Sequence, residues 1–88
     1  MPIISQFYGI IIIMYYKENE KHKLPHIHAE YGEFEAAFDF NSNQLNGNFQ
    51  VKQKKMVEAW ILIHQEELLT LWNLMKQGKG SFNISPLK

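Results

Sequence analysis

The stretch His26-Ile27-His28-Ala29-Glu30-Tyr31-Gly32-Glu33-Phe34-Glu35-Ala36-Ala37-Phe38-Asp39-Phe40 decides the fold. Two segments of alternating character flank Gly32-Glu33, a pair suited to a two-residue hairpin turn. A turn there sets Tyr31 against Phe34, Glu30 against Glu35, His28 against Ala37 and His26 against Asp39. That register puts Ile27, Ala29, Tyr31, Phe34, Ala36, Phe38 and Phe40 on one face. The other face carries His26, His28, Glu30, Glu35, Ala37 and Asp39. A slip of one residue would mix the two sets, so the pattern itself selects the register. The reading is an antiparallel hairpin with one buried face and one polar face.

Upstream, Leu24-Pro25 ends a charged connection, Lys17 to Lys23. Before it, Phe7 to Tyr16 is β-branched and aromatic and reads as a strand with both faces apolar. Downstream, Asn41 to Asn48 is turn-rich, and Gln44 to Asn46 adds a short fourth strand. From about Phe49 the period changes. Val57, Trp60, Ile61, His64, Leu68, Leu71, Trp72 and Met75 recur at three- and four-residue steps, an amphipathic helical stripe. It is one helix kinked near Gln65 or two helices, stopped at Gly78 and Gly80. Residues 81–88 form a tail with Phe82, Ile84 and Leu87 available to dock. The expected architecture is α+β: an antiparallel sheet of three or four strands, with one kinked or two C-terminal helices on one face. A single domain spans 1–88. The doubly apolar first strand needs a second cover: the tail, a second copy or another protein.

The chain has 88 residues, a hydrophobic fraction of 45% and no cysteine, which allows one core and excludes disulfides and thiolate metal sites. The start lacks a signal-peptide pattern, and Ile10 to Met14 is too short to cross a bilayer, so a cytoplasmic protein without a membrane partner is expected. Nine basic residues balance nine acidic ones, and every basic residue is Lys. Without the bidentate guanidinium fork and without net positive charge, nucleic-acid binding is not favoured.

His26 and His28 project from the same side of a strand, about 7 Å apart, a separation two imidazoles can close onto one divalent metal. Asp39, opposite His26, is the third ligand or the group that orients His26 for acid–base chemistry. The plainer reading keeps all three as polar residues on a solvated face. Lys52, Lys54 and Lys55 fall at the expected helix start, where exposed N–H groups and cations make an anion site. Their plainer reading is a solvated helix face. His64, Trp60 and Trp72 read as packed core residues. No phosphate loop, nucleophile elbow or catalytic carboxylate pair is present, and no cofactor is called for.

Met1 to Ile10, Pro25-His26-Ile27-His28-Ala29-Glu30-Tyr31-Gly32, and Trp60 through His64-Gln65-Glu66-Glu67-Leu68-Leu69 to Trp72 together resemble a family of short bacterial proteins, domain-of-unknown-function family 4160. The resemblance spans nearly the whole chain in order. It implies a small intracellular bacterial protein, often encoded beside a second small protein in a toxin–antitoxin-like arrangement. This chain departs from the pattern at Ile13, where a basic residue is common, and at Leu24, which replaces a second proline.

Three functions follow, in order. The first is a protein-interaction module, with a protein partner or as a homo-oligomer, within a toxin–antitoxin-like pair. The second is a small ribonuclease-like or metal-dependent enzyme using His26, His28 and Asp39 with Lys54 or Lys55. The third is a nucleic-acid-binding regulator.

Overall fold

The Gly32-Glu33 turn closes as the pattern requires: Gly32 takes φ +58°, and all six pairs from Tyr31↔Phe34 to His26↔Asp39 form. In the computed structural model, which describes residues 3–14, 16, 24–80 and 82–87, this hairpin is the centre of a five-stranded antiparallel meander. The strands are β1 (Ile3–Phe7), β2 (Ile10–Ile13), β3 (His26–Tyr31), β4 (Phe34–Asp39) and β5 (Gln44–Asn48). Two helices follow, α1 (Val51–Ile63) and α2 (Gln65–Lys76), so the α+β class holds and the strand number is five.

The extra strand, β1, lies ahead of the segment read as one strand from Phe7 to Tyr16 and shares only Phe7 with it; that segment itself supplies β2. Tyr8 and Gly9 both have positive φ, +50° and +79°, and fold the chain back as a type I′-like turn that pairs Phe7 with Ile10. A bulge between Ile3 and Ser5 then turns Ile4 into the core. β5 carries a second irregularity, and Gly47 is its constraint. With φ +88°, a Cβ there would sit 2.3 Å from the Glu35 carbonyl oxygen and 2.7 Å from Ala36 Cα.

The aligned registers make the two sheet faces explicit. Ser5, Ile12, Ala29, Ala36 and Gly47 form one transverse row on the helix side. Apart from Ile12, the side chains of that row are small, beside the large ones of the core: Trp60, Ile61, Leu68, Leu71 and Trp72 from the helices, and Ile10, Met14, Ile27 and Phe38 from the strands. Gln6, Ile11, Glu30, Glu35 and Asn48 form a row on the opposite face, and Ile3, Ile13, His28, Ala37 and Asn46 form the next.

The helices join at His64, whose N–H still reaches the carbonyls of Trp60 and Ile61 and whose own carbonyl accepts from Leu68. The backbone at His64, φ −113° and ψ 24°, supplies the bend. Its Nδ1 bonds Glu67 Oε1 at 2.7 Å, and its ring lies against Trp60. α2 ends in a Schellman motif: Gly78, with φ +70°, donates to Met75 O, and Lys79 donates to Leu74 O. The tail does dock. Ile84 is buried, Leu87 packs on the core and Phe82 stays exposed. Burying one isoleucine contributes roughly 1.5–3 kcal/mol.

Gly47→Ala must both overpack its neighbours and hold a left-handed backbone. We expect it to lower the urea unfolding free energy by about 2 kcal/mol or more, whereas Gly32→Ala, with open space around it, loses about 1–2 kcal/mol from its backbone alone. Equal losses at the two positions would contradict the packing described.

Candidate functional site

β3 brings His26 and His28 to one side of the sheet, as the alternation predicts, with ring centroids 5.1 Å apart at 71°. Their surroundings differ from the solvated face expected. His26 is the first residue of its strand and is buried, and its ring lies 5.4 Å from Trp72 of α2. Trp72 also meets Tyr16 and Phe40 edge-on, so an aromatic cluster closes this end of the sheet around His26. Strand-end residues have no neighbour beyond them to hold the side chain upright, which lets this ring lean across the sheet end. His28 is half-buried in the middle of the face.

His26 Nδ1 lies 2.7 Å from the Leu24 carbonyl oxygen. A carbonyl can only accept, so Nδ1 carries the proton and, in the neutral ring, Nε2 holds the lone pair. Histidines that act as ligands or bases are commonly oriented this way. The orienting group is therefore the carbonyl of Leu24, just before Pro25, and not Asp39, which the sequence offers as a third ligand or orienting group.

Asp39 is taken up by its own turn. Its Oδ1 accepts from the N–H groups of Asn41 and Asn43, both at 2.9 Å, and its Oδ2 accepts from Asn43 Nδ2 at 3.1 Å. Asp39 N–H in turn donates to Asn43 O. Burial pushes the carboxyl up, but the bonds from Asn43 and Asn41 outweigh it and hold the group below its ordinary 3.8. The side chain thus anchors the β4–β5 connection. Among the described residues, no three His, Asp or Glu side chains are gathered so as to hold a metal ion.

The lysines stand elsewhere. Lys52, Lys54 and Lys55 lie at the start of α1, which has no side-chain cap and no acidic residue in its first turn. α1 leaves the sheet from the end marked by Glu35↔Asn48, whereas His26↔Asp39 marks the other. Four residues of strand separate these ends, about 13 Å. The fold therefore does not gather histidines, Asp39 and lysines into one constellation. Lys52 and Lys55 are exposed and Lys54 half-buried, unfavourably placed toward the helix dipole.

Reading the sequence sets Glu30 against Glu35 on the helix-free face but misses the apolar residues that stand beside them. Ile3 is 44% exposed and Ile11 half-buried, while Glu30 and Glu35 stand directly opposite each other. Among the described residues neither carboxylate has an ion pair. Register alone could have found this row, had β1 been recognised as a strand. A shallow cleft of about 290 Å³ beside the His26 end is lined by Leu24, Pro25, Asp39, Phe40, Gln65 and Leu69. Gln65 Nε2 spans it to donate to Phe40 O.

These features define a small α+β domain, a meander sheet with two helices on one face and no assembled catalytic set among its described residues. The chain belongs to the family described as Domain of unknown function (DUF4160), which matches residues 9–73. No curated protein and no solved structure matches it. Among the described residues, no helix is long and apolar enough to cross a membrane.

Asp39→Asn keeps the shape and removes the charge that the turn's donors satisfy. We expect a loss of about 1–3 kcal/mol at neutral pH. Because the folded-state pKa lies below the unfolded one, the carboxylate's contribution is full above about pH 5 and disappears as pH falls through the folded value. Chemical denaturation of both proteins across pH 7 to 3 checks this: the gap should hold from pH 7 to 5 and narrow below about pH 4. A gap constant throughout would contradict it.

Proposed function

We propose that this domain is a protein-interaction module, one member of a bacterial two-gene pair of the toxin–antitoxin-like kind, and that its partner docks on the helix-free face of the sheet. The row Gln6–Ile11–Glu30–Glu35–Asn48, with Ile3 beside it, carries this reading. Like charges directly opposed across strands are destabilising. An exposed isoleucine beside a half-buried one leaves apolar area in water. A partner that lays an apolar side chain over Ile3 and Ile11 and a Lys or Arg between Glu30 and Glu35 removes both costs together. This is the usual anatomy of a specific interface, with an apolar centre and a charged rim.

The enzymatic alternative rests on the His26–His28 pair, and among the described residues no third group joins it. Leu24 holds His26, Asp39 is committed to Asn41 and Asn43, and the lysines start a helix at the far end of the sheet. The regulatory alternative would need more positive charge than a chain with formal net charge zero offers.

Size-exclusion chromatography with light scattering, on the protein alone and mixed with the product of the adjacent gene, tests the proposal. A stable complex or a dimer is expected. Ile3→Asp with Glu30→Lys should weaken it at least about tenfold, roughly the 1.4 kcal/mol or more that central contacts carry. A strict monomer indifferent to that product, or a complex insensitive to the double substitution, would count against it.

A further inference from the structure

The helix α1 is apolar on two sides. One side buries Val57, Trp60 and Ile61 in the core cluster. On the other, Lys52, Lys55, Ala59, Leu62 and Ile63 recur at steps of three and four, and every one is exposed. Glu66, also exposed, continues this stripe past the bend at His64. Among the described large apolar residues, Val51 at 69%, Ile63 at 65% and Leu62 at 56% are three of the four most exposed. A helix side meant only for water carries polar residues at such places.

Charge divides the stripe into unlike halves. Its start carries Lys52 and Lys55, its end carries Glu66, and Ala59 stands midway. Lys52 and Glu66 are each seven residues from Ala59, about two turns. Among the described residues, none of these three charges has an ion pair. The start of α1 also has no side-chain cap and no acidic residue in its first turn. Its first N–H groups and its two lysines are all left without a negative neighbour on their own helix. At the other end lies a cleft of about 270 Å³, lined by Leu62, Ile63, Gln65 and Glu66 among others.

We propose that this side of α1 is a dimerisation face, and that its occupant is α1 of a second copy, laid antiparallel with Ala59 on the two-fold axis. Lys52 of each copy then meets Glu66 of the other. Lys55 lies over the other copy's Ile63 and covers it with its apolar stem. Val51 comes to the mouth of the other copy's cleft. The small Ala59 at the crossing lets the helix axes approach to about 8 Å. Each copy's carboxylates supply the negative charge that the other's helix start lacks. A parallel pair would set lysine on lysine and glutamate on glutamate, so charge selects the antiparallel one. The stripe is its own complement in both charge and apolar area, which is why a second copy fits it. One helix face per copy is a small interface, so the dimer is a weak one, with a Kd of about 10–100 μM. The face points away from the sheet and is separate from the interface on the helix-free face.

Sedimentation equilibrium from about 10 μM to about 1 mM is expected to show monomer and dimer in exchange. Lys52→Glu with Lys55→Glu should weaken the dimer at least about tenfold, and adding Glu66→Lys should restore most of it. Both glutamates favour the helix dipole, so a lost dimer is not a lost fold. The chain has no cysteine, so Ala59→Cys places a single thiol at the axis. Oxidised glutathione should link two copies of that variant, whereas Lys52→Cys, about 20 Å from its symmetry mate, should stay unlinked. A monomer at about 1 mM would overturn the proposal. So would charge reversal that has no effect or that Glu66→Lys does not rescue, and so would linkage at Lys52→Cys in place of Ala59→Cys. A dimer that Ile3→Asp with Glu30→Lys abolishes would overturn it too, because the second copy would then lie on the helix-free face.

Discussion

Six cross-strand pairs between β3 and β4 hold everything else in place. Their register is pinned at one end by the tight Gly32-Glu33 turn and at the other by Asp39, whose carboxylate gathers the Asn41 and Asn43 donors and aims the chain into β5. Shifted by one residue against β4, β3 would turn Ile27 and Ala29 away from Trp60 and Trp72 while Ala36 and Phe38 still faced them, and His28 and Glu30 would be driven beneath the helices. The cost of burying those polar side chains against an apolar helix face opposes any alternative pairing. The same register then fixes where the helices lie and which face stays without them.

Both outer edges of the sheet are blunted, each by a different device. At β1, the bulge turns Ile4 inward and the tail takes the Ile4 carbonyl. At β5, Gln44 Nε2 folds back to the Gly47 carbonyl at 2.8 Å, and the bulge and Gly47 twist the strand. Such features discourage indiscriminate edge pairing.

Much of this was legible in the residues. The β3–β4 register follows from alternation alone, and the helical stripe from Val57 to Met75 follows from its period. What escaped did so for physical reasons. Tyr8 offers no turn signal, because an aromatic residue rarely takes a left-handed backbone, so Gly9 alone could not announce a hairpin within an apolar run. β5, read as Gln44 to Asn46, runs on to Asn48 through Gly47, a residue that strand propensity argues against and bulge geometry demands. His26 was placed on the right strand and side, but its lean onto Trp72 depends on a residue 46 positions away. Asp39 carried a readable warning: an Asp followed by Asn41, Ser42 and Asn43 is the composition of an Asx-type turn, which competes with any catalytic use of the carboxylate. The tail's aliphatic residues were readable as docking residues, while their acceptor at Ile4 and donor at Trp60 exist only once the chain has folded.

The central claim is the separation of the two hairpin faces, and nuclear Overhauser spectroscopy tests it directly. In the register described, Glu30↔Glu35 and His28↔Ala37 are non-hydrogen-bonded pairs, whose α-protons approach most closely. Strong α-proton contacts within these two pairs are expected, together with contacts from the Ile27 and Phe38 side chains to the Trp-bearing helices. Contacts displaced by one residue, or His28 and Glu30 side chains meeting those helices, would contradict the account.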